Sequence, residues 1–181
     1  MQKGKEMPNR LLEKAEYKIE ETKLGRWRRY GYPNGTNYHE FVSRAQVFGM
    51  PLIHYTYGKN PETGSRVVAR GVIAIGRFAF GILAIGQFAL GLFAIGQFAV
   101  ALIFGLGQLS AGLLAVGQAA MGGMFGLGQF AMGYVVIGQL AFGKYVLAQV
   151  GNGKYVWCIG RCDFEAAEFF RSLPILRHLL P

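Results

Sequence analysis

The chain has 181 residues, 52% of them hydrophobic, with 19 Lys/Arg against 10 Asp/Glu and a formal net charge of +9. That is long enough for one domain with appendages. The two cysteines, Cys158 and Cys162, exclude a disulfide framework, and nothing in them points outside a reducing compartment.

Charge is unevenly placed. Residues 1–70 hold 13 Lys/Arg and 7 Asp/Glu, whereas residues 71–150 hold Arg77, Lys144 and no acid. Composition therefore divides the chain into a basic N-terminal segment and cap (1–68), a Gly/Ala repeat (69–155) and a C-terminal helical cap (156–181). No apolar h-region follows Met1 to Glu6, so no secretory signal peptide is expected.

Pro8 to Lys23 has good helix formers, a proline suited to a first turn and a thin stripe of Leu11, Leu12, Ala15 and Ile19, which predicts a helix. Next, Arg26, Arg28 and Arg29 surround Trp27 and Tyr30. Basic residues among aromatics suit nucleic acid, through phosphate contact and stacking. They suit a bilayer's headgroups equally well, and the long apolar repeat beginning at Ala69 ranks headgroups above nucleic acid. Phe41 to Tyr57 is apolar and β-rich, and Gly58 to Arg66 reads as a turn leading into RVVARGVIAIG. This hairpin-like lead-in is expected to cap the first unit of the repeat, whose open edge would otherwise invite strand pairing. His54, between apolar neighbours, reads as a structural histidine; His39 and His178 have no acid or cysteine at ligand spacing.

From Ala69 the chain beats in fives: ARGVI AIGRF AFGIL AIGQF ALGLF AIGQF AVALI. Gly71, Gly76, Gly81, Gly86, Gly91 and Gly96 set the period, and Gly107, Gly112, Gly117, Gly128, Gly133, Gly138 and Gly143 carry it on. Every second pentad carries a polar residue just after its small residue: Arg77, then Gln87, Gln97, Gln108, Gln118, Gln129 and Gln139 after glycine, and Gln149 after Ala148. On an α-helix five residues advance about 500°, so the glycines would spiral around it. Each would also cost about 1 kcal/mol against alanine. Short extended segments that turn a corner every five residues fit better, with glycine at the corners. The expected fold is all-β, a tight solenoid with short helical caps; the alternative is a polytopic α-helical membrane protein. Phe104 and Phe125, one extra residue each and 21 apart, favour coils of 20–21 residues over coils of ten.

The pentads, as in Gly86, Gln87 and Phe88, resemble the pentapeptide-repeat proteins. That resemblance implies a four-sided right-handed β-solenoid with these three in its small, polar and central places. The spacing Ala79-x-Gly81-x-x-Ala84-x-Gly86 is similar to the C-x-G-x-x-C-x-G of the ten-residue midge antifreeze solenoid, with alanine in place of its cysteines. The ARGVIAIG entry also resembles uncharacterised bacterial Gly/Ala-rich repeat proteins, which implies no activity.

At the far end Lys144, Tyr145, Lys154, Tyr155 and Trp157 bring back charge and aromatics. Cys158-x-x-x-Cys162 lacks the second ligand pair that zinc needs and reads as two unpaired thiols. Asp163 is placed to N-cap FEAAEFFRS, the second cap.

A repeat without Asp, Glu, His or Cys has no acid–base, nucleophilic or metal chemistry, so no catalytic residue, cofactor or metal site is expected. What it has is an apolar outside, and an exposed apolar surface this long marks an interaction. The first expectation is a membrane-associated or membrane-embedded structural protein, on the cytoplasmic side or in the inner membrane of a bacterium. Its candidate headgroup contacts are Arg26, Trp27, Arg28, Arg29, Arg70, Arg77, Lys144, Lys154, Tyr155 and Trp157. The alternative is self-association through the apolar sides into bundles or filaments. Coil size and membrane mode are coupled: four 20-residue coils would rise about 19 Å, and eight ten-residue coils about 38 Å. Only the second exceeds the ~30 Å hydrocarbon core.

Overall fold

The computed structural model describes residues 16–174 and 176, and most of them are strand. β1 (Lys18–Glu21), β2 (Gly25–Gly31) and β3 (Asn37–Ser43) form an antiparallel meander. Between β2 and β3 the chain turns through Pro33-Asn34-Gly35, with Gly35 at φ +80° and Asn34 Oδ1 accepting from the Thr36 N–H. A small hairpin follows, β4 (Gln46–Val47) against β5 (Met50–Pro51), turned by Phe48 and Gly49 at positive φ. β6 (Ile53–Tyr57) pairs antiparallel with β3 and parallel with β7 (Ala69–Ile75). Then come β8 (Phe78–Cys158), β9 (Arg161–Cys162) and the helix α1 (Phe164–Ser172). Strands β1-β2-β3-β6-β7-β8-β9 make one sheet in that order.

The predicted helix over 8–23 is overturned at Lys18–Glu21, which is a strand; residues 8–15 lie outside the described ones. The meander supplies the reason. β1 pairs along β2, and ion pairs join Glu20 to Arg29 at 3.2 Å and Glu21 to Arg44 at 2.9 Å. Pairing with distant residues outweighs a helix propensity worth only tenths of a kcal/mol per residue.

Register fixes the size of the repeat. β7 lies parallel to β8 with Ala69 on Ala79, Gly71 on Gly81 and Ala74 on Ala84, an offset of ten. β8 has 81 residues, and drawn out straight it would reach about 270 Å with no side chain buried. Instead the chain returns on itself: the carbonyl of Gly81 lies against Gly91, that of Gly86 against Gly96, and that of Gly143 against Gly153. Where Phe104 and Phe125 are inserted the return takes eleven residues, Gly96 to Gly107 and Gly117 to Gly128. The chain thus returns every ten residues, or eleven at the insertions, rather than every 20–21 as favoured from the sequence. Two insertions 21 apart fit either period, because the second falls two short rows after the first.

One residue in five points inward. Ala69, Ala74, Ala79, Ala84, Ala89, Ala94 and Ala99 are 0–3% exposed, and Ser110, Ala115, Ala120, Ala131, Val136, Ala141, Val146 and Val156 are fully buried. Alternate members stack ten or eleven apart, giving two columns with backbone close around them. Such a core accepts only small side chains, and the valines of one column sit across from alanine or glycine in the other. A Cβ on Gly151 would lie 2.6 Å from Val146 Cγ1. The glycine of each pentad also has a reason other than the expected freedom at a corner. Gly71 to Gly128 hold ordinary φ, but a Cβ at Gly81, Gly86, Gly91, Gly96, Gly107 or Gly117 would overlap the carbonyl oxygen one row before.

Candidate functional site

Each pentad leaves three residues outside, and the outside is apolar. Phe80, Leu90, Val100, Leu102, Met124, Tyr134 and Val150 are among the large hydrophobics 45–70% exposed. Phe78, Phe88 and Phe98 stack in a row, with centroids 5.3 and 4.9 Å apart and planes within 16°. Beside them runs the polar row: Arg77 followed by Gln87, Gln97, Gln108, Gln118, Gln129, Gln139 and Gln149, one per return of the chain. No side-chain hydrogen bond of these glutamines occurs among the described residues.

The N-terminal end carries a polar knot. Glu40, 8% exposed, accepts from Arg28 at 3.2 Å and from the Tyr38 hydroxyl at 3.0 Å through one oxygen, and lies 3.3 Å from His54 Nε2 through the other. His54 Nδ1 accepts the Arg70 N–H at 2.9 Å, which leaves Nε2 to donate to Glu40. The His54 hydrogen bond holds the Glu40 carboxyl below the ordinary range despite burial, with Tyr38 and Arg28 adding to it. Burial and the neighbouring Glu40 push the Tyr38 hydroxyl up. His54 pairs in register with Ala74, so the inward column that begins with Ala74 ends on this knot. The structural reading of His54 agrees with that position, and His39 stacks on Tyr57.

The other end is closed by α1. Ala166, Ala167 and Phe170 are buried, and Phe169 stacks on Tyr145 at 4.3 Å. Asp163 sits at the N-cap position but makes no side-chain cap bond. Its carboxylate accepts the Val156 N–H at 2.8 Å and pairs with Arg161 at 2.7 Å, which ties the last inward residue to the helix. Those two contacts, Arg161 first, lower its pKa. Lys144 Nζ is 2.7 Å from the Tyr134 hydroxyl, Lys154 lies over the Tyr155 ring and Arg171 over Trp157. Cys158 pairs with Arg161 and Cys162 with Trp157, which puts the two free thiols on opposite faces of the hairpin.

The candidate headgroup residues therefore fall into two groups. Arg26, Trp27, Arg28, Arg29, Arg70 and Arg77 are at the start, and Lys144, Lys154, Tyr155 and Trp157 at the finish. Arg28 is turned inward onto Glu40 and the Tyr17 ring, and Arg29 is shared between Glu20 and Trp27. Sequence reasoning missed the knot itself, because Glu40 meets Arg28 and His54 only once β2, β3 and β6 pair. Among the described residues no group of three or more His, Cys, Asp or Glu is placed to hold a metal ion, and no helix is long and apolar enough to cross a membrane. Compared with known proteins, the chain matches no protein-family model, no curated protein and no solved structure.

Proposed function

We propose that the chain is a membrane-embedded structural protein, a β-solenoid of ten-residue coils with no enzymatic activity, whose apolar sides face acyl chains. The observation that carries this is a height. From Ala69 the inward residues mark nine coils, with Arg77 in the first and Lys144 in the eighth. Seven spacings of ~4.8 Å put about 34 Å between them, and no charged residue lies in that interval. The hydrocarbon core is ~30 Å thick. Cations and aromatics flank the ion-free zone on both sides, where Lys and Arg reach headgroups and Trp and Tyr favour the interface. The parallel pairing of β7 with β8 at an offset of ten, continued from coil to coil, would leave no unpaired edge along the sides, which is the condition for backbone in lipid. The lead-in sheet and α1 cover the two ends.

Leu102, 70% exposed in the fourth coil, lies near mid-height of that zone. Leu102→Lys would place an ammonium in hydrocarbon at a cost of at least about 2.5–3.5 kcal/mol. The chain made with liposomes is expected to float with them and resist alkaline carbonate, and the variant to stay behind. A wild-type chain that remains soluble and monomeric without lipid or detergent refutes the proposal.

The glutamine row favours a second reading, lateral self-association. Unpaired amides against lipid are costly, and a second copy offers the same amides at the same ~4.8 Å repeat. In a background without Cys158 and Cys162, Gln108→Cys should then form a disulfide between copies while Leu113→Cys does not. Equal cross-linking at both positions counts against a specific seam.

A further inference from the structure

Two cavities adjoin where the lead-in sheet meets the first coil. One, about 400 Å³, lies between Tyr55, Val67, Ile75, Ile85, Arg66 and Arg77 and is walled mostly by apolar atoms. The other, about 720 Å³, is bounded by Asn34, Asn37, Tyr32, Lys59 and Arg66 and is more polar. Tyr57, Gly58 and Arg66 line both, so a cation stands where a polar chamber joins an apolar one. No acid lines either, and Glu62, on the same loop, is absent from both walls. Arg28, Arg29, Arg44 and Arg161 are all neutralised by carboxylates. Arg66 and Arg77 have neither an ion pair nor a side-chain hydrogen bond among the described residues, and both are exposed.

We propose that these joined cavities bind the phosphate headgroup of an anionic glycerophospholipid. The guanidinium groups of Arg66 and Arg77 take the phosphate oxygens, which their forked donors suit better than a lysine would. The polar chamber takes the headgroup substituent, and Val67, Ile75 and Ile85 take the glycerol backbone and first acyl carbons. An apolar pocket with a few convergent polar groups is the usual form of a small-molecule site. The proposal rests on the membrane reading for its lipid, because Arg77 stands in the coil placed at the bilayer boundary.

The test uses the full chain in detergent and a fluorescent dihexanoyl phosphatidylglycerol, with glycerol 3-phosphate and dihexanoyl phosphatidylcholine as competitors. The anionic lipid is expected to bind at least tenfold more tightly than either competitor. Arg66→Gln with Arg77→Gln should weaken it at least tenfold, whereas Arg44→Gln with Lys23→Gln, the same loss of charge, should change it less than twofold. Val67→Trp should weaken the lipid and leave glycerol 3-phosphate unchanged. Equal loss in both double variants means diffuse attraction and overturns the site. Glycerol 3-phosphate binding as tightly as the lipid means a free phosphate ester and overturns the lipid assignment. Circular dichroism checks that each variant keeps the wild-type spectrum. Vesicle flotation separates the two readings. A chain that floats on phosphatidylcholine vesicles but shows no anionic preference keeps its membrane and loses this site. A chain that binds the short lipid but never floats keeps the site and loses the spanning mode.

Discussion

Ser110 occupies an inward position that alanine, glycine or valine fills elsewhere in the two columns. Its Oγ is fully buried and has no hydrogen-bond partner among the described residues. A buried hydroxyl without a partner costs about 1–3 kcal/mol, so Ser110→Ala is expected to raise stability by that order. Thermal unfolding followed by circular dichroism checks it, and a lower midpoint would mean the hydroxyl does find a partner. Glu40 sets a pH dependence. Its folded pKa is depressed below the ordinary 4.5, first by His54 and then by Tyr38 and Arg28. A depressed carboxyl stabilises the fold above its unfolded pKa, and the contribution is lost as pH falls through the folded value. Wild-type stability should therefore decline as pH drops below about 4.5, and Glu40→Gln should flatten that decline while being less stable at neutral pH. None of this was legible from the chain alone. Strand pairing joins Glu40 to residues twelve and fourteen positions away, and no local spacing announces it.

At the scale of the elements, the five-residue beat was legible because it is the signal that the fold is built on. Every fifth residue points inward, and alanine at 69, 74, 79 and onward says how little room there is. The role of glycine was not legible. Period and composition cannot distinguish a residue chosen for its φ from one chosen because a carbonyl occupies the space where a Cβ would be. Two alanine substitutions separate these. Gly96→Ala meets the Gly86 carbonyl and should cost about 1–3 kcal/mol or more, whereas at Gly123 the nearest atom to an added Cβ is 3.7 Å away. Gly123→Ala should change stability by less than about 0.5 kcal/mol. The insertions make a second test. Removing Phe104 or Phe125 turns an eleven-residue return into a ten-residue one like its neighbours. The expected cost is the half-buried ring, on the order of 1–2 kcal/mol each. The two rows lie about 10 Å apart, so the double deletion should be additive, unlike the strong coupling that twenty-residue coils would give. The N-terminal helix failed for a different reason: helix formers at 18–21 are held as strand by β2, a partner their own sequence does not reveal.

Over the whole molecule, three features follow one another along the chain: a basic aromatic sheet, a long ion-free β repeat that returns on itself every ten or eleven residues, and a helix-capped end with Lys144, Lys154, Tyr155 and Trp157. The most direct test is a depth profile. Single nitroxide labels are placed on exposed positions of one side, at Phe80, Leu90, Leu102, Leu113 and Asn152, in a chain without Cys158 and Cys162 reconstituted into liposomes. Oxygen accessibility relative to a water-soluble relaxation agent is expected to rise to a maximum at Leu102 and Leu113 and to fall toward Phe80 and Asn152. A flat profile, with the water-soluble agent reaching every position equally, would contradict it.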